Sequence, residues 1–267
     1  MQAPRSSTHT NRRPALLMPV CLLGCLLNCL PITEALALDK AALAAALSEP
    51  GRDVADRIRD PARKPVDVLD FLGVEMGMTV IDLYAAEGYF TYVLAKAVGP
   101  GGVVYAQTPP QPSSDPDDRS DMSQGAALEQ KMKAGRLTNV VRLERQALDL
   151  GLEPASVDLV LISQILHDYF NASPERAQQM LEQIHRVLKP GGVVGVIDHV
   201  GNPDLDNERM HRMQKVDAIR VSEQAGFIVE AESDLLHNLT DNHRRSIFDP
   251  MLQRMSDQFL LRLRKLQ

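Results

Sequence analysis

The sequence has no tryptophan, and only five tyrosines and six phenylalanines in 267 residues. An aromatic cage for a cation or a stacking platform for bases therefore has little to be built from. Its three cysteines, Cys21, Cys25 and Cys29, all fall within the first 30 residues. The rest of the chain has none, which excludes disulfides, thiol nucleophiles and cysteine-bound zinc from whatever it does. Basic residues are in deficit, 29 against 35 acidic, for a net charge of −6. That balance opposes nonspecific phosphate-backbone binding. No nucleic-acid partner is expected, and a small-molecule ligand is.

The N-terminal segment has a processing pattern rather than a core pattern. Arg5, Arg12 and Arg13 precede the nearly all-apolar run 14–30, and Ala35-Leu36-Ala37 offers a small-x-small cleavage site. Residues 1–37 read as a secretory signal peptide cleaved after Ala37. The run is marginal for a membrane span, so no stable membrane insertion is expected after cleavage, and the product is expected in the periplasm or secreted. Leu22-Leu23-Gly24-Cys25 leaves the alternative of a lipid anchor on Cys25. Without Arg5, Arg12, Arg13 and Glu34, residues 38–267 hold 26 basic and 34 acidic residues, a net charge of −8. Their 230 residues suffice for one α/β domain with a substantial core.

Short helices are expected at 39–47, 53–60 and 65–72, with Asp39 as a cap and Pro65 in a first turn. Each is too short to stand alone, so residues 38–75 read as a helical cover. Residues 76–267 alternate strand and helix patterns: strands at 79–83, 103–106, 140–143, 157–162 and 193–200, helices at 89–98, 124–134 and 174–188. Alternation of this kind gives a doubly wound, mostly parallel, Rossmann-like α/β sheet. Ser173 and Pro174 open the clearest helix, whose apolar stripe is Ala177, Met180, Leu181, Ile184, Val187 and Leu188. A helix near 213–224 and strands at 227–232 and 259–263 follow. Residues 108–123, rich in proline and aspartate, read either as a lid or as a solvated insertion.

The most informative stretch is residues 78–101, MTVIDLYAAEGYFTYVLAKAVGPG: a strand ending in an acid, a turn of mostly small residues, a helix and a glycine stop. That unit presents backbone N–H groups to a nucleotide-like ligand. With Val187-Leu188-Lys189-Pro190-Gly191-Gly192-Val193 it resembles a class I S-adenosylmethionine (SAM) dependent methyltransferase. In that family the turn usually reads acid-x-Gly-x-Gly-x-Gly. Here the register gives Asp82, then Tyr84, Ala86 and Gly88, so only the last glycine is kept. The resemblance implies SAM as cofactor, held by Asp82, Tyr84, Ala86, Glu87 and Gly88. It implies Gln107 at the ribose position, where an acid is usual, and Gln164 as a further contact. It also implies a final antiparallel hairpin closing the sheet.

Candidate catalytic residues lie where parallel strands end. His167, with Asp168 beside it, follows the fourth strand and reads either as a base or as a strand-end cap. Asp198 and His199 end the fifth. Together with His211 they suggest a metal site only weakly, since no tight ligand spacing is present, and no metal is expected. Further residues resemble a narrower group of exported bacterial predicted methyltransferases: Val68-Leu69-Asp70-Phe71-Leu72-Gly73, Gly88-Tyr89-Phe90-Thr91 and Gly195-Val196-Ile197-Asp198-His199 among them. The expected function is methyl transfer from SAM to an unspecified acceptor. The alternative is the same fold with a degenerate site, acting as an extracytoplasmic binding or structural module. An NAD-type oxidoreductase lacks its Gly-x-Gly-x-x-Gly.

Overall fold

The computed structural model describes residues 1–3, 37–110 and 119–267, with the backbone alone at 119–124. The chain divides into two compact units, Met1–Glu34 and Ala35–Gln267. The expected signal segment falls outside the described residues except at 1–3 and Ala37, as do residues 111–118 of the proline- and aspartate-rich stretch. Among the described residues no helix is long and apolar enough to cross a membrane.

The second unit is a seven-stranded sheet with helices on both faces. Strands β1 (Thr79–Leu83), β2 (Val103–Thr108), β3 (Val140–Glu144), β4 (Val157–Ser163) and β5 (Leu188–His199) are parallel. Strands β6 (Phe227–Ser233) and β7 (Gln258–Lys265) complete the order β3-β2-β1-β4-β5-β7-β6, and β7 runs antiparallel to both neighbours. The helices are α1 (Lys40–Leu47), α2 (Val54–Arg63), α3 (Pro65–Leu72), α4 (Tyr89–Val98), α5 (Arg119–Ala134), α6 (Leu166–Ala172), α7 (Pro174–Val187), α8 (Asn207–Met210) and α9 (Lys215–Gln224).

The strand sequences explain the layers. Successive side chains point to opposite faces, so a strand covered on both faces reads as a continuous apolar run. Val80, Leu159 and Leu161 face one core with Leu69, Leu72, Val93 and Leu94 of α3 and α4. Ile81, Val160 and Ile162 face the other with Leu166, Leu181, Ile184 and Val221 of α6, α7 and α9. Asp39 caps α1 through the Ala42 N–H at 2.9 Å. Ser173 occupies the position before α7 but makes no side-chain cap; its hydroxyl donates to Glu175 instead.

Four sequence expectations change, the first being that β5 starts at Leu188 rather than at 193, directly after α7 ends at Val187. Residues 166–169, read as a loop, form the first turn of α6. Residues 119–123, read with the loop after β2, are helical backbone in α5. Helix α2 runs on through Pro61 to Arg63, three residues past its expected end.

One of the contacts that dock the cover is a close approach of backbone and side chain. A Cβ added at Gly195, in the middle of β5, would lie 2.4 Å from Leu72 Cδ1 of α3, and Leu72 is fully buried. Overpacking a filled core costs roughly 1–3 kcal/mol. Gly195→Ala should lose about that much unfolding free energy in urea. Combined with Leu72→Ala, it should lose less than the two single changes added together.

Candidate functional site

The turn after β1 keeps a glycine backbone without the glycines. Tyr84 has φ 59°, Ala86 φ 48° and Gly88 φ 80°. All three positions where the motif expects glycine are left-handed, a conformation that costs an L-residue roughly 1–2 kcal/mol. Two groups of Gln107 hold the turn. Its side-chain Oε1 accepts the Tyr84 N–H at 2.9 Å, and its backbone carbonyl accepts the Ala85 N–H at 2.9 Å. The Gln107 amide nitrogen donates to the Arg145 carbonyl at 2.6 Å. Gln107 is fully buried and braces the turn.

Around this turn lies a cavity of about 430 Å³, lined by Asp82, Tyr84, Ala86, Glu87, Gln164 and Arg63 among others. Its size is within the roughly 300–1,000 Å³ of small-molecule sites. Five of the seven expected cofactor residues therefore line one cavity. The two that do not are Gln107 and Gly88. The Cα of Gly88 faces α5, where an added Cβ would meet Leu128 Cδ1 at 2.6 Å, and its N–H donates to the Ala85 carbonyl at 2.7 Å. Glycine is needed there for helix packing and for φ.

Asp82 is buried at the end of β1, accepting the Thr91 hydroxyl at 2.6 Å. Burial pushes its carboxyl up to about 6, against the Thr91 hydrogen bonds that lower it. Opposite, α2 contributes Arg59 and Arg63, four residues apart and hence on one face. The Arg63 guanidinium lies 4.5 Å from the Tyr89 ring centroid and donates to Gln164 Oε1 at 3.4 Å. Burial and the neighbouring Arg59 hold it below its ordinary value. Sequence analysis assigned α2 to a cover and missed both arginines; their i, i+4 spacing was the available signal.

A second chamber of about 330 Å³ adjoins the first, sharing Arg59, Arg63, Gln164 and Arg254 with it. Ile58, Ile247, Phe248 and Met255 supply apolar walls, and His199 lines it too. His199 Nδ1 is 2.7 Å from Ser256 Oγ. Burial pulls this imidazole down to about 4, so it is neutral at pH 7. Ser256 and Arg254 come from the segment before β7 and carried no motif, whereas Phe248 belongs to Phe248-Asp249-Pro250, one of the stretches that resemble the exported group.

His167 and Asp198 lie elsewhere. Neither lines either cavity. Asp198 is fully buried and accepts the backbone N–H of His167 at 2.9 Å and of His199 at 2.7 Å, and its Oδ1 lies 2.7 Å from His167 Nδ1. His167 Nε2 is 3.1 Å from Asp168 Oδ1. Burial opposes charge on this ring, but the two carboxylates outweigh it and push the imidazole up to about 10. With a carboxylate at each nitrogen the ring is not available as a base, and the pair ties α6 to the end of β5. His211 approaches Asp168, not Asp198 or His199, with Nδ1 at 3.1 Å from Oδ1.

The strained turn gives an inverted glycine effect. Ala86→Gly removes a left-handed Cβ and should raise unfolding free energy by about 0.5–1 kcal/mol, net of the added unfolded-state entropy. Ala85→Gly, at a neighbour without positive φ, should lower it. Denaturant midpoints of the two variants check the signs.

A methyltransferase-domain family model matches residues 115–194. Among curated proteins, a demethylmenaquinone methyltransferase of Geobacillus stearothermophilus is 32% identical over 132 residues, 48% of this chain and 47% of that protein. The chain thus spans about half the length of the curated relatives it matches. Among solved structures, a SAM-dependent methyltransferase from Aquifex aeolicus superposes with a TM-score of 0.57 at 20% identity, covering 85% of this chain and 99% of that one. The [4+2]-cyclase SpnF superposes with a TM-score of 0.55 at 15% identity, over 82% of this chain and 85% of its own. At such identities the structural likeness shows the fold. Over residues 115–194 the chain matches a methyltransferase domain, about half of it is similar to SAM-dependent methyltransferases, and its sheet has their fold.

Proposed function

We propose that this chain transfers a methyl group from SAM, bound at the Tyr84–Gly88 turn, to an acceptor held in the adjoining chamber. The observation that carries the reading is the left-handed backbone at Tyr84, Ala86 and Gly88. The turn retains the shape of the glycine motif although two of its three glycines are replaced. SAM, when bound, supplies a methyl group on a positively charged sulfur. Asp82 and Glu87 offer carboxylates to cationic groups, and Arg63 offers a guanidinium to an anionic one. Gln164 stands where the two cavities meet. His199 presents a neutral imidazole to the acceptor; with its value near 4 it orients by hydrogen bonding and is a weak base. Methyl transfer needs positioning above all.

The apolar wall and three arginines of the second chamber suit an acceptor with an apolar body and an anionic or strongly polar group. The curated relatives' names give demethylmenaquinone as their acceptor; the acceptor of this chain is not specified by that partial match. The fold also serves a [4+2]-cyclase, so cofactor binding is the decisive property. Isothermal titration of SAM, and of its demethylated product, into the purified protein tests it. A dissociation constant at or below about 1 mM, roughly −4 kcal/mol, supports the enzyme; no heat from a folded protein favours the binding module.

The pH dependence is specific. Asp82 must be ionised to pair with a cation, and its pKa near 6 leaves it mostly protonated at pH 5. SAM affinity should therefore tighten about tenfold from pH 5 to pH 7 as the carboxylate ionises. In Asp82→Asn that rise should vanish. Folding responds with the opposite sign. A raised carboxyl value favours the folded state below pH 4, and that contribution is lost as pH rises through 6.

We further propose that residues 1–37 direct export, giving a periplasmic or secreted protein. The first helix of the second unit starts at Lys40 with Asp39 as its cap, so cleavage after Ala37 keeps every helix and strand of that unit and removes only the isolated bridge of Ala37 to Glu75. N-terminal sequencing of protein from the extracytoplasmic fraction should begin at Leu38. Intact Met1, or a lipid on Cys25, would overturn that site.

A further inference from the structure

Three potential metal ligands from α6 and the end of α8 converge outside both cavities. His167 Nε2 and His211 Nδ1 each lie 3.1 Å from Asp168 Oδ1, and all three atoms lie within 4.8 Å of one another. We infer that His167, Asp168 and His211 bind one divalent transition-metal ion, which takes the place of the proton held between His167 Nε2 and Asp168 Oδ1 and releases it to solvent. First-row metals hold nitrogen and oxygen ligands at roughly 2.0–2.2 Å, which sets neighbouring ligand atoms on the order of 3–3.5 Å apart. The observed spacings to Asp168 are of that size. Two imidazoles and one carboxylate are a donor set for zinc or ferrous iron, with further positions left to water.

The second shell supports the assignment. A metal-ligating histidine usually gives its other ring N–H to a carboxylate, which fixes the tautomer. Asp198 is fully buried and sits 2.7 Å from His167 Nδ1, so the ring turns Nε2 toward Asp168 and His211. Asp198 is itself fixed by the backbone N–H groups of His167 and His199. His211 follows α8 in a left-handed conformation, φ 52°, that swings its ring onto Asp168. Asp168 and His211 are partly exposed, with side chains 45% and 40% accessible, so an ion can enter from solvent.

The site stands directly behind the second chamber. The His211 ring meets Phe248 with centroids 4.8 Å apart, and the His167 ring meets His199 at 5.7 Å. The Ile247 N–H donates to the Met210 carbonyl at 3.2 Å, joining the same wall to α8. An ion there would lock α6, α8 and the Phe248 segment together. Its role is to position the chamber wall, and it touches neither SAM nor acceptor.

The test is metal binding by the full chain, independent of any methyl acceptor. Chelator-treated protein is titrated with Zn²⁺ by calorimetry and with Co²⁺ by visible absorbance, at neutral pH. One equivalent of each is expected, with a rise in melting temperature on zinc addition. His211→Ala, at a partly exposed position, should weaken zinc binding at least tenfold without lowering the melting temperature of the metal-free protein. Asp168→Asn should do the same by a second route. His243→Ala, in the separate cluster of His237, His243 and Asp257, should leave binding intact. Absence of zinc and cobalt binding by the wild-type chain would overturn the site. So would loss of binding in His243→Ala but not in His211→Ala. Because SAM titration is a separate experiment, failure here leaves the methyltransferase reading standing, and the reverse also holds.

Discussion

The Gln107 amide is the constraint on which the candidate site depends. It spans the turn after β1 and the chain leaving β3, accepting from the Tyr84 N–H and donating to the Arg145 carbonyl. A buried amide satisfied at both ends is worth keeping because leaving either end unpaired costs roughly 1–3 kcal/mol. That is the scale of the left-handed strain at Tyr84 or Ala86. An aspartate or glutamate in its place could accept but not donate, and would leave the Arg145 carbonyl without its partner. The loss of two glycines and the replacement of the expected acid are thus two parts of one local solution.

The cover of short helices is held by charge as much as by apolar contact. Asp56 of α2 is fully buried, and it meets Arg59 at 2.5 Å and Lys131 of α5 at 2.6 Å. The Tyr89 hydroxyl donates to Asp60 at 2.7 Å, while Arg59 and Arg63 pack on its ring. Buried ion pairs fix geometry more reliably than they add stability. Here the geometry they fix is the placement of two arginines over a cavity in a protein of net negative charge.

Much of the fold could be read from residue order. The continuous apolar runs of β1, β4 and β5, the stripe of α7 and the Gly99-Pro100-Gly101 stop all specify local structure through packing on both faces of a sheet. The site was less legible, because a motif names positions and not directions. Asp82, Tyr84, Ala86, Glu87 and Gln164 reach the cavity, whereas Gln107 and Gly88 turn inward to amide and helix partners. His167 and Asp198 lie at strand ends, as catalytic groups do, yet their side chains bond each other beneath α6. Nothing local distinguished that outcome, since the register of α6 against β5 is set by tertiary packing. Arg254 and Ser256 were beyond reach for the same reason: they arrive through an irregular segment without period or motif.

Strand β7 is the last strand in order yet lies inside the sheet, between β5 and β6. It forms one side of the β6 pairing, and the residues leading into it complete the chamber around His199. A ribosome therefore releases six strands that cannot close. Until residues 258–265 emerge, β5 and β6 both present unpaired backbone edges, the kind that invite association with other chains. Between synthesis of Ser233 and of Gln258 both edges stand open at once. Any chain stopped within that interval would lack the chamber as well as the closed sheet.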